Sequence, residues 1–217
     1  MPSAPFGRGR LRRLLGLDRT APAPRATRPG QPLHPLTIPN LVGYVRLAAI
    51  PLFLYLALDS GDGRTASAAI LYAAIALGDY LDGFLARATG QYSRLGALMD
   101  PIVDRITILA GAVVCWHFEL LPRWALAVLV ARELLTLVLA QAGLRRGLEL
   151  EVNWLGRAAV WPVMAAIFFA MVTGGWFPTS LLLLGLVTAL LATVMYARMG
   201  LRDLRDAQAA QPGAHSS

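Results

Sequence analysis

Six apolar runs, each close to 20 residues, take up most of this chain. They cover approximately 40–58, 66–86, 97–119, 123–143, 155–173 and 179–199. About 20 residues is the length at which an α-helix crosses the hydrocarbon core of a bilayer. Lipid offers the backbone no hydrogen-bond partner, so a spanning segment is either a helix or a strand of a closed barrel. Barrel strands alternate apolar and polar residues, and these runs do not. The fold class expected is therefore all-α: a polytopic membrane protein with six transmembrane helices.

Composition agrees. The chain is 56% hydrophobic and 15% charged, where a soluble domain carries roughly a quarter charged residues. The net charge is +7, and all 20 basic residues are arginine. Such basicity suits nucleic acid or an anionic membrane surface. The apolar content selects the membrane, and no nucleic-acid partner is expected. Cys115 is the single cysteine, which excludes an intrachain disulfide and a cysteine metal site; in its apolar run it reads as a small buried hydrophobe. His34, His117 and His215 are scattered and read as structural or solvated.

The arginines set the orientation. Seven lie in the first 36 residues, Arg87 and Arg94 follow the second run, Arg145 and Arg146 the fourth, and Arg198, Arg202 and Arg205 close the last. Only Arg64 and Arg123 fall on the other side. The positive-inside rule then places both termini in the cytoplasm of a multi-pass cell-membrane protein. Residues 1–36 are basic and Pro-rich, without the apolar stretch of a signal peptide, and are expected to be mostly disordered. Residues 37–203 form the expected membrane domain, and 204–217 a disordered tail.

Against this apolar background, residues 79–104 read DYLDGFLARATGQYSRLGALMDPIVD. Asp79, Asp82, Gly83 and Ala86 fall at i, i+3, i+4 and i+7, on one helical face. Gly96, Asp100 and Asp104 fall at i, i+4 and i+8 on the next helix. The short connection makes the two helices antiparallel neighbours, so their acidic faces meet across a cleft open to the cytoplasm. Gly83 and Gly96 remove bulk beside the acids. Four carboxylates in one cleft repel, and at membrane depth each isolated charge costs at least a few kcal/mol. Divalent cations are the natural remedy. An all-carboxylate oxygen set suits magnesium or manganese, and the absence of His and Cys argues against zinc. Two such ions form a clamp suited to phosphoryl displacement. Snorkelling or arginine-paired acids are the bland reading, which four acids on facing surfaces make a poor fit. A divalent-cation transporter is a competing reading, because intramembrane acids also mark ion routes; a membrane anchor is a third.

The pattern D-x2-D-G-x2-A-R-x8-G-x3-D-x3-D, filled by Asp79, Asp82, Gly83, Ala86, Arg87, Gly96, Asp100 and Asp104, resembles the signature of the CDP-alcohol phosphotransferases. The likeness extends over roughly 37–200 and includes TIPNLVGYVRL at the first helix. It implies transfer of a phosphatidyl group from CDP-diacylglycerol to an acceptor hydroxyl, with release of CMP. It further implies that Asp79, Asp82, Asp100 and Asp104 hold two divalent cations, Mg2+ or Mn2+, and that Asp104 also acts as the catalytic base. Gly83, Ala86 and Arg87 match positions lining the CDP donor, with Ser93 and Asn40 as weaker donor contacts. A homodimer is expected from the same likeness.

The remaining intramembrane charges bear on the acceptor. Arg132, Arg157 and Arg46 suggest an anionic one, although pairing of Arg132 with Glu133 explains that residue equally well. The A-R-E segment at Ala131–Glu133 and N-W-L-G-R at Asn153–Arg157 are similar to those of phosphatidylglycerophosphate synthases, which makes glycerol 3-phosphate the favoured acceptor. Ala158, Ala159 and Val160 stand where those enzymes carry a further basic residue. The G-R-A-A form resembles actinobacterial-type cardiolipin synthases, whose acceptor is phosphatidylglycerol.

Overall fold

The computed structural model describes residues 34–145 and 154–209, with side chains at 139–145, 154–158, 196–197 and 199–209 left outside the description. The basic segment 1–33 and the tail 210–217 lie outside the described residues. What is described is helical throughout: α1 (Ile38–Leu58), α2 (Ala66–Thr89), α3 (Arg94–His117), α4 (Arg123–Arg145), α5 (Trp154–Val172) and α6 (Trp176–Ala209). All six apolar runs are helices. Among the described residues three segments are long and apolar enough to cross a membrane: Ile38–Leu58, Ala66–Thr89 and Trp176–Met195. The charges at Asp100, Asp104 and Arg105 dilute α3, whereas the described side chains of α4 end at residue 138. The part of α5 whose side chains are described, Ala159–Val172, is apolar.

Local chemistry sets the helix ends. Thr37 caps α1 and Thr65 caps α2, each hydroxyl accepting from a backbone N–H three residues on. That satisfies a donor the helix itself leaves open. α2 stops at Gly90, whose φ of 69° is the left-handed conformation that glycine adopts without strain. Ser93 then caps α3, its Oγ accepting from Gly96 N at 2.9 Å. α6 runs on to Ala209, so residues 204–209, expected in the tail, are helical. The sequence there, LRDAQA, has no glycine or proline to end a helix.

The chain divides into two units, residues 1–111 and 112–217. In the first, α1 packs on α2. Phe53 and Tyr72 meet with ring centroids 5.2 Å apart, among buried Ile50, Ala68 and Ile75. In the second, α5 packs on α6. A Cβ at Gly185 would lie 2.9 Å from Val163 N, so glycine lets the two backbones approach, as small residues do between membrane helices. The outer faces stay apolar: Leu41, Val45, Tyr55, Leu184 and Val187 are all exposed.

Candidate functional site

The first unit gathers the acids about an arginine. Arg46 comes from the interior of α1 and is 3% exposed. Its Nε donates to Ile75 O at 2.9 Å, its Nη1 to Asp82 Oδ2 at 2.9 Å and its Nη2 to Asp104 Oδ1 at 2.7 Å. Asp79 Oδ1 stands 3.8 Å from Nη1. Asp100 lies near enough to feel the charges of Asp79, Asp82, Asp104 and Arg46. Helical phase thus brings all four acids together as expected, from α2 and α3, and the fork of Arg46 ties the two helices to α1.

Arg46, expected as an acceptor contact, lies inside the acid cluster. Gly78, one residue before Asp79, makes its seat. A Cβ there would lie 2.5 Å from Arg46 Cδ and 2.8 Å from Cγ. Neither connection was readable from the acid motif alone. The available signal was an arginine in an apolar run, a charge that needs a partner, and a glycine preceding the first acid.

Asn40 and Ser93 also come together. Asn40 Nδ2 donates to the carbonyls of His34 and Pro35 at 3.0 and 3.1 Å, and its Oδ1 accepts from Ser93 Oγ at 2.7 Å. Both residues are buried. This knot holds the chain entering α1 against the start of α3. Gly96 belongs to it, because a Cβ there would lie 2.7 Å from Asn40 Oδ1. Asn40, Ser93 and Gly96 thus form a framework one turn from Asp100. Gly83 lies beneath its own helix neighbour Arg87: a Cβ would be 3.1 Å from Arg87 Nη1.

Whether these residues suit divalent ions is a question of donor chemistry. The four carboxylates and Arg46 carry a formal charge of −3 and offer only oxygen donors. Asp82 Oδ1 is buried without a hydrogen-bond partner, and a bare buried carboxylate oxygen calls for a cation or a donor. The set fits hard divalent ions on these grounds. Among the described residues no three acidic, His or Cys side chains close on a single point; the group that Asp82 and Asp104 share is Arg46.

In the second unit Arg132 is engaged with Glu133, and its Nε donates to Thr193 Oγ1 at 3.2 Å. Glu133 is buried, so pairing and a tie from α4 to α6 account for both charges. Arg157 lies in the first turn of α5, and its side chain is outside the described residues. Cys115 is fully buried, as expected.

Fold and site define a helical protein with apolar outer faces and a cluster of four acids gathered about a buried arginine. The CDP-alcohol phosphatidyltransferase family matches residues 36–199, and the chain belongs to that enzyme family. A cardiolipin synthase (CMP-forming) of Streptomyces coelicolor is 39% identical over 167 residues, covering 74% of this chain and 78% of its own length. A putative cardiolipin synthase of Mycobacterium tuberculosis is 35% identical over 130 residues, 59% of this chain and 61% of its own. This chain thus spans about three-fifths of the length of that relative. A probable phosphatidylglycerophosphate synthase of the same organism is 30% identical over 174 residues, covering 76% and 82%.

Proposed function

We propose that this protein transfers the phosphatidyl group of CDP-diacylglycerol to an anionic acceptor, releasing CMP, at the acid cluster of α2 and α3. The observation that carries the reading is the convergence of Asp82 and Asp104 on Arg46, with Asp79 and Asp100 beside them. The family membership supports the donor.

In this reading Asp79, Asp82, Asp100 and Asp104 hold two divalent cations, Mg2+ or Mn2+. Such ions, when bound, neutralise the donor diphosphate and the charge on departing CMP. Asp104 keeps a quarter of its side chain exposed, so it is open to an incoming hydroxyl and takes that proton as general base. The acceptor oxygen bonds to the phosphorus bearing diacylglycerol, the bond from that phosphorus to the CMP oxygen breaks, and CMP leaves with the electron pair. Gly83, Ala86 and Arg87, half-buried on the same face of α2, line the donor site. Gly83 admits the nucleotide closely, and Arg87 meets its phosphate oxygens. Asn40 and Ser93 shape the floor of that site through the knot they form.

For the acceptor we take phosphatidylglycerol first, making the product cardiolipin. The support is the 39% identity to the Streptomyces cardiolipin synthase and the G-R-A-A form at Gly156–Ala159. Glycerol 3-phosphate stands second, supported by the phosphatidylglycerophosphate synthase relative and the A-R-E segment. Arg157, in the G-R-A-A form, and Arg132, in the A-R-E segment, are the candidate anion partners of the acceptor in this reading. Residues 37–203 form the membrane domain, with six spans and both termini cytoplasmic, and the chain acts as a homodimer in the bilayer.

Supplying purified protein with labelled CDP-diacylglycerol and both acceptors together, then resolving the lipids, tests the acceptor. Cardiolipin as main product is expected. Phosphatidylglycerophosphate alone would assign the second acceptor.

A further inference from the structure

We infer that Arg46 is a positioning residue for the acid cluster: it grips one oxygen of Asp82 and one of Asp104 and leaves the other oxygen of each to a divalent cation. This rests on the reading that the acids hold such ions.

Three observations carry it. The grip is on single oxygens, Oδ2 of Asp82 and Oδ1 of Asp104, and the other oxygen of Asp82 is buried without a partner. The guanidinium is fixed from behind, because Nε is held by Ile75 O and the stem lies across Gly78. The arginine is also buried, so its direction is set by packing rather than by solvent. A planar fork held in this way fixes the angle between two carboxylates on different helices. Partners that orient metal-ligating side chains typically contribute about 10–100-fold to metal affinity.

The competing account is that Arg46 merely offsets charge. The two accounts predict opposite signs. If Arg46 only offsets charge, a neutral side chain at 46 makes the cluster more negative and cation binding tightens. If it orients the acids, the same change loosens binding.

Mn2+ binding to the full-length protein in lipid nanodiscs, followed by electron paramagnetic resonance without substrate, separates them. Arg46→Met is expected to weaken Mn2+ binding about 10–100-fold. Arg46→Lys is expected to fall between Arg46→Met and wild type, since one ammonium cannot span both acids with fixed geometry. Gly78→Ala is expected to weaken binding as well, although residue 78 bears no ligand atom, because the new Cβ displaces the arginine stem. Equal or tighter binding in Arg46→Met, at unchanged helical content, overturns the inference. Should Arg46→Met fail to fold, wild-type affinity in both Arg46→Lys and Gly78→Ala overturns it instead. Wild-type protein that binds no Mn2+ removes the metal reading itself, whereas equal binding by wild type and variants removes this inference alone.

Discussion

Asn40 and Ser93, 53 positions apart, share a buried 2.7 Å hydrogen bond that joins the start of α1 to the cap of α3. Leaving a buried polar group without its partner costs about 1–3 kcal/mol. Asn40→Ala takes the acceptor from the Ser93 O–H and the donor from the His34 carbonyl, while the Pro35 carbonyl keeps the Tyr44 hydroxyl. It is expected to lower stability by that amount in thermal unfolding, and to lower activity as the α3 start shifts. Gly96→Ala pushes on the same amide and is expected to act likewise. The two are expected to be non-additive, as neighbours in one network are; additive losses would show that Asn40 and Gly96 act separately.

Gly83 is predicted to separate stability from function. Alanine in a helix interior is favoured over glycine by roughly 0.5–1 kcal/mol, and the nearest group, the Arg87 guanidinium, is the flexible end of a side chain. Gly83→Ala is therefore expected to hold or raise the unfolding temperature while raising KM for CDP-diacylglycerol. An unchanged KM would remove Gly83 from the donor site.

Asp104→Asn keeps an oxygen to accept from Arg46 but removes the base. The rate of CMP release is expected to fall at least about 100-fold, the usual contribution of general base catalysis, while CDP-diacylglycerol still binds. Full activity in the variant would end the role of Asp104 as base.

How far the sequence reaches is visible in these residues. The helices were legible because run length is a local signal; the caps at Thr37, Thr65 and Gly90 that end them came from the structure. The acid faces were legible because 3.6-residue periodicity is local too. The partners of Arg46 lie 29, 36 and 58 positions away, and no period within one helix encodes which helices meet at that depth. Asn40 and Ser93 entered only as weaker donor contacts suggested by the family likeness. That they bind each other depends on how the chain enters α1, which only the fold supplies.

Orientation is open to a labelling experiment. Cys115 is fully buried, so it should stay silent toward an impermeant maleimide. In intact cells Asp62→Cys, between α1 and α2, is expected to react, and Gln91→Cys, between α2 and α3, only after permeabilisation. The reverse pattern would place the acid-bearing ends of α2 and α3 outside.

The central claim is tested most directly by acceptor-dependent CMP release. Purified protein in lipid, given CDP-diacylglycerol, phosphatidylglycerol and Mn2+ or Mg2+, is predicted to release CMP, to stop on chelation, and to resume when the ion is restored. No CMP with phosphatidylglycerol or glycerol 3-phosphate under either ion would contradict the account.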